Sequence, residues 1–596
     1  MKILACEGVP YLEENGLPFP AAFQEQSYPR TWLNGRWRVP EWNIDLEVPG
    51  CFNKRGDPLE NFEGCLALER EFTLEPDGYP LKRLAFEGCF HSASVMLNGV
   101  LLGCSDIPWL PFYFDISGLV KYGEVNVLRV LIDNRIDHIS LPVRQFRGHR
   151  PGWKLYAGIF RDVYIESLPA LYCFKADISH KGGDVNLALL FHRCAGAGSQ
   201  PLVVTAHDSE GAETGRASVE IRFREGNVAA AFLRLPMKAL RLWSPEEPNL
   251  YRFTISTPGE TLSLDTGFRS IAAEKSGIFL NGRPFTVKGV CRHEEHREYG
   301  QALPAHLVEQ ELSAIQSLGA NLVRLAHYPH QELSYRLCDR AGLAVYTEAA
   351  NYQAGLGIVQ GLFGKSAELR KNRNSPGLIV ELLKSTGQLN NPAYVERVRF
   401  SLLKLIERER NHPAVFFWGI GNECFSFSGA SRRTLRYLKN EVLRFDSSRI
   451  PVYAAFTAPD VTPLFEQSLN VFDVLCINEY YGWYYGKPGG AEAYWKKIAK
   501  KYPHKALLIT ETGSDSFEDE ESQARQCAML AEHWNLRKKI PALSGLCVWV
   551  FKDFLCPEYG PEAPEFGCNR KGLFTEHYVP KKAAAFLREL WQDWLK

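Results

Sequence analysis

Residues 414–423 read AVFFWGIGNE, eight residues without a charged or amide side chain and then Asn422 and Glu423. The run is too short for a buried helix, shows no 3.6-residue period, and follows a His-Pro break, so it reads as a strand buried on both faces. The same grammar recurs through FTVKGVCRHE, LVRLAHYP, AVYTEAA, VYAAF, VLCINEYYGWY, ALLITETG and GLCVWVFKDF. With the first run these make eight apolar strands, beginning near residues 285, 322, 344, 415, 451, 474, 506 and 545. Amphipathic stretches such as LVEQELSAIQSLG, ELSYRLCDRAG and VERVRFSLLKLIERERNHP stand between most of them. Eight strand–helix repeats over residues 272–596 predict a (β/α)8 TIM barrel, with one long insert over about 352–392.

The chain ahead of the barrel has a different rhythm. RLAFEG, SVMLNGVLLG, PFYFDIS and VNVLRVLIDN alternate apolar and polar positions between Gly, Asn and Asp turns, which predicts a jelly-roll-like β-sandwich over residues 1–168. LALLFHR, LVVTAHDS, ASVEIRF and YRFTISTPG continue that pattern over residues 169–271, a length suited to an immunoglobulin-like sandwich. A chain of 596 residues exceeds one ordinary core, so a three-part multidomain β plus α/β organisation is expected.

Composition excludes several classes. Hydrophobic residues are 45% and charged residues 23%, as in an average globular chain. Lys plus Arg and Asp plus Glu are both 69, which leaves no electrostatic footprint for nucleic acid or an anionic membrane. The N-terminus lacks the long apolar core of a signal peptide, and no run reaches the roughly 18–20 apolar residues of a membrane span. The fifteen cysteines show no CxxC pair or zinc spacing. These features predict a cytoplasmic, reduced protein without a metal or cofactor and with no nucleic acid or membrane as partner.

In such a barrel the active site forms at the C-terminal ends of the strands. Arg292-His293-Glu294, Arg324, His327-Tyr328, Glu348, Asn422-Glu423, Asn478-Glu479-Tyr480, Glu511, Trp549 and Asp553 stand there. Glu423 and Glu511 follow nearly uninterrupted apolar runs, which puts both near the barrel axis. Two facing carboxyls, one protonated and one ionised, are the equipment for glycosidic bond cleavage. Asn422 suits a bond to a substrate hydroxyl, and Tyr480, Trp483, Tyr484 and Trp549 offer flat faces for sugar rings. His293 and His327 complete the candidate binding set.

WGIGNE and ITETG, together with KGVCRHEEH, LGANLVRLAHYPH, LCDRAGLAVYTEA and RERNHPAVFFWGIGNE, resemble glycoside hydrolase family 2. ALEREFTL, SVMLNGVLLG, PFYFDISGLV and YAGIFRDVYI resemble that family's sugar-binding-like sandwich. The resemblance spans essentially the whole chain in order. It implies a retaining exo-β-glycosidase, with a small glycoside as partner and a homo-oligomeric state, in which Glu423 is the general acid/base, Glu511 the nucleophile and Tyr480 a hydrogen-bond partner of the nucleophile. INEYYGWYY and FGCNRKGLFTEHYVPKKAAAFLRELW resemble the family's β-glucuronidases, whose Asn-x-Lys pair holds the sugar carboxylate. Here the pair is Asn569 and Lys571, and the insert opening NYQAGLGIVQG resembles a loop over the aglycone.

The chain departs from that pattern at four places. Glu565 stands where those enzymes carry Arg, Gly152 where they carry Asp, Thr512 where Tyr follows the nucleophile, and Glu479 where Arg precedes YYGWY. Two of these positions bear on sugar recognition, so β-galacturonidase and β-galactosidase stand as alternatives. A non-catalytic carbohydrate-binding protein is a third reading, weakened because both acid positions are present.

Overall fold

The computed structural model describes residues 1–144, 151–181, 183–194, 198–224, 226–238, 240–355, 387–457, 462–557 and 567–592. Most of the insert expected over 352–392, and Glu565, lie outside the described residues.

Two sheets form the first β layer. One has six strands, in the order Val100–Ser105, Ser92–Leu97, Val125–Asp133, Cys65–Thr73, Gly35–Val39 and Ile44–Val48. The other has four, Phe112–Asp115, Leu81–Phe86, Val163–Leu168 and Arg30–Trp32. Strand 125–133 buries every second residue, as its alternating sequence requires for a sheet with one wet face. Strands 81–86 and 163–168 are buried at every position. Their polar side chains are therefore paired: Arg83 and Arg30 both donate to the buried Glu166.

The second pair of sheets follows. Leu171–Lys181, Asp184–Arg193 and Val228–Pro236 form a three-stranded sheet. Glu213–Ile221, Gln200–His207, Tyr251–Thr257, Glu260–Thr266 and Glu25–Gln26 form a five-stranded one. The last of these strands comes from the start of the chain, with Gln26 opposite Leu262 and Glu25 opposite Ser263. Linear order hides this crossover, because a two-residue strand carries no periodicity to read.

The barrel is closed and parallel, formed by β1 (Val287–Arg292), β2 (Leu322–Leu325), β3 (Ala344–Glu348), β4 (Val415–Asn422), β5 (Ile450–Ala455), β6 (Val474–Asn478), β7 (Ala506–Thr512) and β8 (Leu543–Val548). Each begins within two residues of its sequence-derived start. All eight residues of β4 are buried, which is why it reads as one apolar run. Among the described residues no helix is long and apolar enough to cross a membrane.

Buried ion pairs tie the layers together. The ammonium of Lys175, in strand 171–181, donates to both oxygens of Glu407 at 2.5 and 2.6 Å, in the helix Pro392–Glu409. On the same helix Lys404 donates to Glu14 at 2.8 Å. Burial lowers the pKa of Lys175 and Glu407 opposes that loss. A buried pair is costly to break on one side only, about 3–5 kcal/mol, because the remaining charge is left uncompensated. Glu407→Ala is therefore expected to lower the stability against denaturant by about that amount. Lys175→Met combined with Glu407→Leu should recover most of the loss, and additive losses in this double-mutant cycle would contradict the pairing.

Candidate active site

The carboxylate-bearing ends of the strands meet around one guanidinium. Arg324, at the end of β2, is fully buried. Its Nε donates to Glu348 Oε1 at 2.7 Å, Nη1 to Glu511 Oε1 at 2.7 Å and to the Thr510 carbonyl at 2.9 Å, and Nη2 to Asn422 Oδ1 at 2.8 Å. One side chain thus joins the ends of β2, β3, β4 and β7. Burial works against its charge, and Glu348 and Glu511 more than offset that, so it stays protonated.

Glu511 has a donor on each oxygen. Arg324 serves Oε1, and the Tyr480 hydroxyl donates to Oε2 at 2.7 Å. Burial pushes its pKa up, with Glu423 adding to the rise, and Arg324 and the Tyr480 hydroxyl pull it back down. Glu423 faces neutral donors only: Asn478 Nδ2 to Oε1 and Gln353 Nε2 to Oε2, each at 2.9 Å. Burial raises its pKa too, and those two amides oppose the rise. Two interacting buried carboxyls hold one negative charge between them near neutral pH. A permanent cation beside Glu511 and only amides beside Glu423 place that charge on Glu511 and the proton on Glu423.

Local backbone geometry aims Glu423. It sits just past β4 at φ 51°, in the left-handed region, where a non-glycine residue costs free energy and is held by its surroundings. Its N–H donates to the Ala454 carbonyl at 2.8 Å, and that of Asn422 to the Asn351 carbonyl at 2.9 Å. A Cβ at Gly421 would stand 2.5 Å from Asn351 Nδ2, so only glycine admits this approach. Asn422 Oδ1 is taken by Arg324 and by Asn478 Nδ2 at 3.0 Å, which turns its –NH2 end away from that network.

An aromatic wall adjoins the two acids. His327 stacks on Trp549, centroids 5.0 Å apart, and hydrogen-bonds Glu348 Oε2 through Nδ1 at 2.8 Å. Burial lowers its pKa to about 4, so the ring is neutral, its proton lies on Nδ1 toward Glu348, and Nε2 is an acceptor 3.7 Å from Glu511 Oε1. His293 packs on Phe554 and Trp549 at 4.4 and 5.3 Å. Burial drives its pKa well below the usual range, and its Nε2 is buried without a partner among the described residues. Trp153, delivered by the first sandwich, packs on Tyr352, His293 and His327 at 4.6, 5.4 and 5.8 Å.

A second cluster is reached through Tyr480, whose ring lies 5.1 Å from Tyr484. Lys571 sits 4.9 Å from the Tyr484 centroid, and its ammonium lies 3.1 Å from both oxygens of Asp515. Burial acts to lower its pKa, and Tyr484 and Asp515 together raise it above the ordinary lysine value. Asn569 Oδ1 accepts from the Lys571 N–H at 3.2 Å, holding the turn. Lys571 is buried, whereas Tyr484 is 57% exposed and lies on the open side.

The ten sequence-derived positions thus fall into three contacting groups. Glu423, Asn422, Glu511, Tyr480 and His327 surround the Arg324 network, His293 and Trp549 form the wall, and Tyr484, Asn569 and Lys571 form the second cluster. Arg324, Glu348 and Asn478 stood at strand ends without an assigned role. The signal that marks Arg324 is a lone charge inside the apolar run LVRL. Gln353 lies in NYQAGLGIVQG, the opening of the insert read as a loop over the aglycone, but with no role of its own assigned, and Trp153 comes from a segment whose sequence gives no pointer to the barrel. Glu479, by contrast, turns away from the pocket and pairs with His533 at 2.7 Å. Among the described residues no group of three or more His, Cys, Asp or Glu stands ready to hold a metal ion.

The chain is similar to known proteins. The model described as Glycosyl hydrolases family 2, TIM barrel domain, matches residues 271–594, and Glycosyl hydrolases family 2 matches residues 164–269. A curated relative from Sus scrofa, named Beta-glucuronidase, is 26% identical over 638 aligned residues, covering 97% of this chain and 90% of that protein. The fold is shared with a beta-glucuronidase of uncultured Clostridium sp., at TM-score 0.81, 24% identity, and coverage of 97% of this chain and 100% of that one. It is also shared with a GH2 beta-galacturonidase from Eisenbergiella tayi bound to galacturonate, at TM-score 0.78, 24% identity, and coverage of 96% and 99%. With more than half its length matched by the barrel model, this chain belongs to glycosyl hydrolases family 2 and is a glycoside hydrolase.

Proposed function

We propose that the protein is a retaining exo-β-glycosidase that hydrolyses β-D-glucuronides through a covalent glycosyl-enzyme intermediate. The observation that carries this reading is the unequal surroundings of the two buried carboxyls. Glu511, facing Arg324 and the Tyr480 hydroxyl, is the ionised nucleophile that attacks the anomeric carbon. Glu423, facing only amides, is the protonated acid that delivers its proton to the leaving oxygen and then serves as base toward water. Arg324 spreads its charge over Glu348 as well, so it holds Glu511 ionised without neutralising it fully. The –NH2 of Asn422 and the Nε2 acceptor of neutral His327 are suited to sugar hydroxyls, and Trp549 to a ring face.

The sugar class rests on the second cluster. Asn569 and Lys571 supply an amide and an ammonium, a combination that gives charge-assisted bonds to a carboxylate. The relatives named Beta-glucuronidase, matched over nearly their whole length, support a uronide. A galacturonide is the second reading. It is favoured by Gly152, beside Trp153 at the mouth, which offers no side chain to read the sugar's C4 configuration. A cytoplasmic, homo-oligomeric enzyme remains our expectation.

Glu511→Ala is expected to lower turnover by roughly ten-thousandfold while the fold is kept, with partial rescue by azide. Glu423→Ala should cost far less on aryl glycosides with good leaving groups, which need no proton. Equal losses on activated and unactivated substrates would contradict the acid/base role, and an inverted product would contradict both.

Arg324 makes a pH prediction. Removing its charge in Arg324→Gln leaves only the Tyr480 hydroxyl to oppose burial and Glu423, so the pKa of Glu511 rises further. The acid limb of the kcat/KM profile should then move to higher pH, with a lower maximum. An unmoved limb would show that Arg324 does not set the charge on Glu511.

Lys571→Ala removes an ammonium bond worth about 1.5–3 kcal/mol, so uronide kcat/KM should fall roughly ten- to hundredfold. The matching neutral glycoside should change little. A wild type that prefers a neutral β-galactoside, or an unchanged ratio in the variant, would overturn the uronide reading and leave the retaining-glycosidase reading standing.

A further inference from the structure

Glu479 is one of the places where the chain departs from the β-glucuronidase pattern, and it stands between the end of β6 and Tyr480. Its carboxyl is fully buried against the helices Ala491–Lys501 and Glu520–Asn535. A buried carboxylate is costly unless its oxygens are met. Here Oε1 accepts the Tyr481 N–H, while Oε2 accepts from the Trp495 indole at 3.4 Å and lies 2.7 Å from His533 Nε2. His533 turns its other ring nitrogen, Nδ1, to the Met529 carbonyl at 2.8 Å. With an acceptor at each ring nitrogen, both carry protons and the ring is an imidazolium. Burial acts to lower the His533 pKa, and Glu479, with Glu532 on the same helix adding, raises it above the ordinary histidine value. Glu479 is thus braced by a cation that is itself fixed to its helix.

The segment anchored in this way faces the nucleophile. The Glu479 N–H donates to the Glu511 carbonyl at 2.8 Å, which sets the end of β6 against β7. One residue on, the Tyr480 hydroxyl donates to Glu511 Oε2 at 2.7 Å and the Tyr480 N–H donates to the Tyr485 hydroxyl at 2.8 Å. The Tyr480 carbonyl accepts from the N–H groups of Trp483 and Tyr484 at 3.0 and 3.2 Å, closing the turn. Tyr480 is therefore gripped on both sides by one residue, through the Glu479 N–H on β7 and the Glu479 carboxylate on the Tyr481 N–H. A hydrogen bond weakens steeply as its angle is lost, so the bond from the Tyr480 hydroxyl depends on that grip.

We propose that Glu479, braced by His533, is a positioning residue that sets the Tyr480 hydroxyl on Glu511, an inference that rests on the reading of Glu511 as the nucleophile.

The test measures kcat and kcat/KM against pH on one aryl β-glycoside for wild type, Glu479→Asp, Glu479→Gln, Tyr480→Phe and the double variant Glu479→Asp with Tyr480→Phe. Aspartate keeps the charge and loses one methylene of reach, which takes the carboxylate off the Tyr481 N–H. Glutamine keeps the reach, its oxygen accepting from Tyr481 and its –NH2 donating to a His533 that is then neutral. Glu479→Asp should lower kcat roughly ten- to hundredfold with KM within about threefold of wild type. Its acid limb of kcat/KM should move to higher pH, as in Tyr480→Phe, because Glu511 loses a donor that lowers its pKa. Glu479→Gln should stay within about threefold of wild type. In the Tyr480→Phe background Glu479→Asp should cost less than about twofold more, since the hydroxyl it positions is gone. An aspartate variant with wild-type kcat and acid limb, losses that multiply in the double variant, a glutamine variant as impaired as the aspartate one, or a Tyr480→Phe enzyme without effect overturns the proposal. Should thermal denaturation show that Glu479→Asp does not fold, His533→Asn, which withdraws the brace from Glu479, makes the same comparison with Tyr480→Phe. A Glu511→Ala enzyme that keeps turnover overturns the nucleophile reading and this proposal with it, whereas an inactive Glu511→Ala enzyme leaves the outcomes above to judge Glu479 alone.

Discussion

The site is organised by one buried guanidinium. Arg324 is removed from water, and removing a unit charge from water is expensive unless its donors are met. Its planar fork is met on every side, by Glu348, Glu511, Asn422 and the Thr510 carbonyl. Those groups come from β3, β4 and β7, so satisfying one charge fixes the relative heights of four strand ends. Two carboxylates compete for one cation, and in the proposed mechanism that competition leaves Glu511 anionic yet not quenched. A lysine in its place has no rigid fork to bind three partners in one plane.

The same network separates two acids that share a pocket. Both are lifted by burial, and what distinguishes them is the charge state of the donors they face. Glu423 meets amides, which stabilise either protonation state modestly, while Glu511 meets a permanent cation and a phenol. In the proposed mechanism, acid and nucleophile are told apart by neighbours on other strands, since the two glutamates themselves are chemically identical.

The barrel is also completed from outside. Trp109 of the first sandwich stacks on Tyr328 at 4.8 Å, and Arg161 donates to Glu294 at 3.0 Å. Trp153 covers His293 and His327. These contacts keep water from the aromatic wall, and exclusion of water strengthens every charge interaction behind it. The buried pairs Lys175–Glu407 and Lys404–Glu14 hold the β layers to the helix ahead of β4. Docking of the sandwiches is therefore tied to the strand that carries Glu423.

The sequence by itself determined the barrel and the positions of both acids. Parallel strands covered on both faces must be apolar throughout, so AVFFWGIGNE and ALLITETG announce their strands, and a carboxylate directly after such a run has nowhere to stand except the barrel mouth. Only the tertiary structure decided what those acids face. Arg324 and Glu511 are distant in sequence, as are Gln353 and Glu423, and Trp153 belongs to another part of the chain. The pairing of Gln26 with Leu262, the turning of Glu479 toward His533, and the ion pair of Lys571 with Asp515 were equally unreadable. Periodicity records which side of an element is buried, whereas a hydrogen bond depends on which distant side chain shares that burial.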